Sequence, residues 1–585
     1  MAIRTRNNVS GKKATEENNG DTSQSYTEIK EADITKKVIG SGSDQFSFIE
    51  LLGYTLVLTP VTTLLGANGY LFGPKLLEPM LGNYFPAYYF HSLIFGSCLV
   101  GALMGLLLHS KFLGLIGKGL GLISISQAAS PIYIDWVTSF SLHIGPYITT
   151  HLAYIAPVYL PVLLCSWLNV SLLFINMSFF KQADTPLHSI VLLTAQLALL
   201  IGGFSVFIGG FIVLSPYSCF GLLYTACGGA VGLCLMNFTL LRRLRSKVFH
   251  KMIVPCVILL TAGYTMYYFP RCGPFIPDNS LQPAFKVLAR DESTTGWITV
   301  TEEAKRRVRV MRSGHSIIGG TFMDYDESIF GSFYYMEAVQ YIKRQSSKQS
   351  SALQLGLGIG ISARSLIESG VHVDVVEIDP LVYSYAQSFF KLPQPNKVFL
   401  QDGYHFLNSI ANESSYDYIL HDVFTGGTVP SQLFSVEALM LCKRALKQDG
   451  VLALNYVGGV LHPYNSSFNA IAATIQSVFS HVRVFTEEFD SQEDLGKLIN
   501  LVFFAADYPI EFSIPTKFHD PESIRALSLK DFTRYEVRLE DYLPEAMPPP
   551  ITQANNYLHT LQHSSAYTHW YKMKELFPLN FWQKY

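Results

Sequence analysis

Charge is scarce in this sequence. Of 585 residues, 15% are Asp, Glu, Lys or Arg against 49% hydrophobic, and the net charge is −2. So neutral a balance offers no field for a nucleic-acid backbone, which excludes nucleic acid as a partner. Cysteine is scarce too. There are eight, and Cys98, Cys165, Cys219, Cys227, Cys234 and Cys256 fall inside apolar runs, where a thiol packs as a small hydrophobe. Cys-x-x-Cys pairs and zinc-type Cys/His spacings are absent, so neither a disulfide scaffold nor a metal site is expected. Residues 1–45 are nearly without aromatics and cannot bury enough apolar surface to fold, which predicts a disordered tail. No apolar h-region precedes Phe46, so a cleaved signal peptide is not expected.

The missing charge is concentrated in its absence between Phe46 and Phe269, where apolar runs approach the ~20 residues a helix needs to cross a bilayer. The runs are Phe46–Gly66, Tyr88–His109, Phe112–Ile134, Ala153–Phe179, His188–Leu214, Tyr217–Leu241 and Met252–Phe269. They predict a multi-pass α-helical membrane domain over 46–270, with about six or seven spans and membrane lipid as its surroundings. Gly, Ser and Thr within the runs suit close helix packing. No run carries a central pair of opposite charges, so transport is not indicated. Arg242, Arg243, Arg245, Lys247 and Lys251 place one loop in the cytosol. The C-terminal half lies opposite that loop if Met252–Phe269 crosses, and on the same side if it does not.

After Pro270 the pattern becomes α/β. Gly296–Val300 and Arg307–Met311 read as strands of a small β-domain over 285–345, with His315–Gly320 as a turn and Tyr334–Lys343 as a helix. From Leu353 strands alternate with helical patterns: Val373–Ile378, Val398–Leu400, Tyr418–Leu420, Val451–Tyr456, Val482–Phe485 and Ile499–Ala505. That alternation predicts a Rossmann-like domain over 350–510 whose mainly parallel sheet is covered on both faces. Residues 511–585, Pro-rich and then aromatic, read as a helical appendage.

The chemistry collects at predicted strand ends. Leu353-Gln354-Leu355 runs into Gly356-Leu357-Gly358-Ile359-Gly360 and then a helix, a turn through which a backbone can approach a ligand. Glu377 ends the next strand about twenty residues after the first glycine, where a carboxylate can accept both ribose hydroxyls. Asp379 precedes Pro380 as a helix N-cap. Asp402 and Gly403 follow the third strand, where a carboxylate can accept from an adenine amino group. No Gly-Lys-Ser/Thr follows the glycines, which excludes a P-loop. Asp422 ends the fourth strand, where it can hold an amine nucleophile and take its proton, while His421 faces the other way and packs.

With these motifs, about Val287 to Asp507 resembles the spermidine/spermine synthase family of aminopropyltransferases, and among them the members fused to a membrane domain. The resemblance implies an S-adenosylmethionine methyltransferase-type Rossmann fold and a decarboxylated S-adenosylmethionine co-substrate without metal. It also implies a small amine or polyamine acceptor and a homodimer. It assigns Gly356, Gly358, Gly360, Glu377, Asp402 and Gly403 to the nucleoside and Asp422 to catalysis. Tyr335, Glu337, Thr425 and Asn455 fall on the family's substrate positions. Several of these depart from the family pattern. Ile359 stands where the family has an Asp for the aminopropyl amine, Thr425 replaces the second acid after the catalytic strand, Asn455 replaces a Gln, and Met336 replaces the middle of a Tyr-[His/Gln]-Glu motif. Three readings therefore stand side by side: an aminopropyltransferase with altered substrate, a methyltransferase using ordinary S-adenosylmethionine, and a non-catalytic nucleoside-binding membrane scaffold or sensor.

Overall fold

The computed structural model describes scattered positions from 48 to 82, then 84–87, 89–108, isolated positions between 122 and 126, 129–182, 190–197 and three positions between 256 and 261. It then describes 284–585 apart from 345–349, 411–414, 425, 488–490, 516–517, 519, 531 and 584–585.

Two helical stretches among the described residues, Phe90–Leu108 (α1) and Ser141–Ser178, are long and apolar enough to cross a membrane. Most residues of the remaining expected runs lie outside the described residues. Leu160–Gln182 (α2) forms the last part of the second stretch. It packs along α1 because α1 presents glycines: a Cβ on Gly101 would sit 2.1 Å from the Leu163 carbonyl oxygen, and one on Gly105 would sit 2.7 Å from Val170. The opposite face of α1 leaves Phe95 and Leu107 exposed. A soluble surface rarely carries such an apolar face.

Four strands, Phe285–Ser293 (β1), Gly296–Glu303 (β2), Val308–Ser313 (β3) and Ser316–Phe322 (β4), form an antiparallel meander. The last corrects the sequence reading, in which His315–Gly320 was a turn. Gly319 and Gly320 resemble turn residues, yet they are strand positions that neighbours approach closely. A Cβ on Gly319 would sit 2.5 Å from Cγ1 of Ile359. The segment expected as a helix over Tyr334–Lys343 is a 3-10 helix, Gly331–Tyr341.

The larger sheet contains Ser351–Leu355 (β5), His372–Glu377 (β6), Lys397–Leu400 (β7), Tyr416–His421 (β8), Leu446–Gly458 (β9), His481–Thr486 (β10), Ile499–Ala506 (β11) and Glu536–Val537 (β12). Their spatial order is β12-β10-β11-β9-β8-β5-β6-β7, parallel from β7 to β9 and antiparallel beyond. The central strands are buried on both faces, as a sheet covered by helices requires. Those helices include Ile361–Glu368 (α3), Pro380–Phe390 (α4), Gly403–Ser409 (α5), Val436–Ala445 (α6) and Asn465–Val478 (α7). The chain runs from β5 outward to β7, then returns to place β8 on the other side of β5. Loops leaving β5 and β8 therefore diverge and open a crevice, where Rossmann-like sheets take their ligands.

Asp379 ties the two sheets together. It caps α4 through the Leu381 and Val382 amides, and it also accepts from Ser293 Oγ, Thr295 N and Thr295 Oγ1. The aromatic tail ends in helices His563–Leu576 (α8) and Leu579–Gln583 (α9). Trp570 and Trp582 are fully buried in a cluster that also takes Leu77, Phe85 and Tyr154 from the N-terminal half and Val310 and Ile317 from the meander. Trp570 Nε1 donates to the Met80 carbonyl at 2.9 Å. The appendage thus shares one core with the N-terminal half and the meander.

Candidate active site

A cavity of about 1000 Å³ occupies the crevice. Its floor is the glycine loop. Gly356 has φ +75°, and a Cβ there would sit 2.2 Å from the Asp422 carbonyl oxygen, so a side chain would push β5 and β8 apart. Asp422 N donates to the Leu355 carbonyl at 2.8 Å and keeps the two strand ends together. Gly358, Gly360, Glu377, Asp402 and Gly403 also line the cavity, so the expected nucleoside residues converge.

Glu377 is buried. Its Oε2 accepts from Leu357 N and its Oε1 from Asp379 N, both at 2.9 Å. Desolvation pushes its carboxyl up to about 7, against the downward pull of these amides. Asp402 caps α5 by accepting from His405 N at 2.9 Å. Its second oxygen faces Gln432 Nε2 at 3.4 Å.

Asp422 accepts from Asn455 Nδ2 at 2.8 Å. Its carboxyl is raised by desolvation, which the Asn455 hydrogen bond partly offsets. A carboxylate held this way can take a proton from a nucleophile beside it. Asn455 Oδ1 is buried and has no hydrogen-bond partner among the described residues. Ile359 also lines the cavity, yet it is only 2% exposed and belongs to the apolar cluster beneath α3 and α4.

Tyr335 and Glu337 do not join this group. Neither lines the cavity. Tyr335 stacks edge-on against Phe532, and Glu337 is fully buried with Oε1 2.7 Å from Arg525 Nε. Both face the underside of the 3-10 helix, whose Ser332 and Phe333 reach the cavity instead. Thr425 lies outside the described residues. His421 packs, with Nε2 3.1 Å from the Leu433 carbonyl and an edge-on contact to Phe434. No metal-binding group of His, Cys, Asp and Glu occurs among the described residues.

The motif-based reading missed part of the wall. His315, at the β3–β4 turn, reaches the Gly426 carbonyl at 3.0 Å after β8. A Cβ on Gly82 or Gly426, each at positive φ, would sit 2.3 Å or 2.4 Å from this imidazole. His315 is therefore seated between the N-terminal half and the loop that follows Asp422. Distant residues make this contact, so local spacing carries no sign of it. Gly82→Ala is expected to destabilise the protein by about 1 kcal/mol or more, through backbone strain and displacement of His315. Thermal unfolding would measure it. Gly96→Ala is the comparison, because a Cβ there meets nothing within 4 Å.

Residues 332–488 match the model of the spermine/spermidine synthase domain. Among curated proteins, the N-terminal histidine N-methyltransferase of Emericella nidulans is 32% identical over 332 residues, covering 51% of this chain and 58% of that protein. The probable polyamine aminopropyl transferase of Bifidobacterium longum is 28% identical, covering 28% of this chain and 36% of that protein. The chain thus spans less than two thirds of the length of either relative. A probable spermidine synthase structure from Corynebacterium glutamicum aligns with 47% of this chain and 94% of its own, at 17% identity and a TM-score of 0.33.

Proposed function

We propose that the chain is a membrane-held N-methyltransferase using S-adenosylmethionine, a reading that starts from the match of residues 332–488 to the spermine/spermidine synthase domain. Its acceptor would be an amine or imidazole nitrogen. The observation that carries the methyl reading is Ile359. An aminopropyl group ends in a cation, and a buried cation needs a carboxylate partner. The family's position for that carboxylate holds an apolar side chain packed on the meander. The relative named an N-terminal histidine N-methyltransferase supports the same reading and extends it to a chain end as acceptor. Phe90–Leu108 and Ser141–Ser178, long and apolar enough to cross a membrane, support the membrane-held part of this reading.

In this reading Gly356, Glu377 and Asp402 hold the nucleoside so that the sulfonium faces Asp422. The acceptor nitrogen attacks the methyl carbon with its lone pair. The carbon–sulfur bond breaks, its electron pair returns to sulfur, and Asp422 takes the proton shed by the nitrogen. Asn455 fixes the carboxylate for that task. Aminopropyl transfer is the second reading, favoured by the matched family and by the relatives named polyamine aminopropyltransferases.

The test uses the full chain in detergent with methyl-labelled S-adenosylmethionine and a peptide that begins with His. Label on the peptide is expected. An unlabelled peptide, together with aminopropylation of putrescine from the decarboxylated donor, would replace this reading with the second.

A further inference from the structure

We propose that His569 binds the acceptor nitrogen, inside a chamber that helix α8 and the N-terminal half close over the nucleoside site. The proposal rests on the preceding reading only in taking the acceptor to be a nitrogen nucleophile.

The cavity is large for a single small ligand. Pockets for one small ligand span roughly 300–1,000 Å³, and this one is about 1000 Å³. Its lining includes the residues expected to hold the nucleoside. The lining also includes His315, Phe424 and His569, with Tyr84 contributed by the N-terminal half. His569 projects from α8 against the loop that follows the catalytic strand. Its ring meets Phe424 edge-on at 5.1 Å and His315 edge-on at 6.1 Å. The contact is close on the backbone side as well, since a Cβ on Gly427 would sit 2.9 Å from His569 Cβ.

The imidazole is 4% exposed, and its Nδ1 has no hydrogen-bond partner among the described residues. Leaving such a nitrogen buried and unpaired is unfavourable. Asn455 Oδ1, on the same cavity, carries the same deficit beside Asp422. Burial, with His315 and Lys574 nearby, pushes the His569 imidazole well below its ordinary value, so it is neutral and keeps a lone pair at neutral pH. One carboxylate, one amide oxygen and one neutral imidazole around a single chamber match a group rich in N–H donors. An amine supplies such donors, whether on a free diamine or at a peptide terminus.

The experiment uses the full chain in detergent, saturated with S-adenosylhomocysteine, with binding of putrescine and of a His-first tripeptide followed by calorimetry. One of the two is expected to bind, and which one identifies the source of the amine. His569→Phe should weaken that binding about tenfold, the scale of a lost hydrogen bond, without changing nucleoside affinity. His569→Asn places an amide near Nδ1 and should retain most of the affinity, whereas His569→Gln, whose amide lies near Nε2, should not. This pair decides the matter if His569→Phe fails to fold. Equal affinity in wild type and His569→Phe, equal behaviour of the Asn and Gln variants, or no binding of either probe to wild type would overturn the proposal. A probe that binds through His569 without being methylated would leave this inference standing and remove the methyltransferase reading.

Discussion

Asp422→Asn is expected to lower turnover by about 10²–10⁴-fold and to leave S-adenosylhomocysteine affinity unchanged. The amide oxygen can still accept from Asn455 Nδ2, so the end of β8 keeps its geometry. What the amide cannot do is take a proton. Desolvation already raises the Asp422 carboxyl, which makes it a better base than an exposed aspartate. Single-turnover rates with a saturating donor, alongside calorimetry of the product nucleoside, separate the two effects. A variant that turns over at the wild-type rate would remove Asp422 from the chemistry.

Glu377→Ala should act on the other half of the site. In the proposed reading this carboxylate accepts both ribose hydroxyls, and its loss is expected to cost about 1.5–3 kcal/mol of nucleoside affinity, roughly 10- to 150-fold. The pH dependence gives a second signature. Burial holds this carboxyl up to about 7, and the ionised form is the stronger acceptor. Nucleoside affinity should therefore rise as pH increases through about 7, and this rise should vanish in Glu377→Gln. Stability without nucleoside should move the other way. Between the ordinary value of 4.5 and about 7 the folded protein binds more protons at Glu377 than the unfolded chain, so this group's contribution falls as pH rises. Opposite slopes for binding and for thermal stability, both lost in Glu377→Gln, are the expected result.

The residues expected to hold a nucleoside could be picked out together because their signals are local. A strand, a glycine turn and a helix lie consecutively in the chain, and an acid at the next strand end follows from strand period and length. Gly356, Glu377, Asp402 and Asp422 therefore meet in one cavity. Non-local parts were not legible in this way. Gly319 and Gly320 resemble a turn until Ile359 and Val310 are seen pressed against them. His315 and His569 belong to no motif: the β3–β4 turn carries the first to the loop after β8, and α8 carries the second to the same loop. Tyr335 and Glu337 show the converse error. A short motif carried over from the family falls on a 3-10 helix that turns both side chains into the core, where Glu337 pairs with Arg525.

The central claim is that the donor site is built for a nucleoside without a terminal aminopropyl cation. Competition between S-adenosylmethionine and its decarboxylated form for the full chain tests it most directly. Ile359 is packed among apolar side chains, and no aspartate stands in its place. The account predicts that the decarboxylated form binds no more tightly than S-adenosylmethionine. Preference for the decarboxylated form by about tenfold or more, the scale of one charge-assisted hydrogen bond, would contradict it and point to aminopropyl transfer.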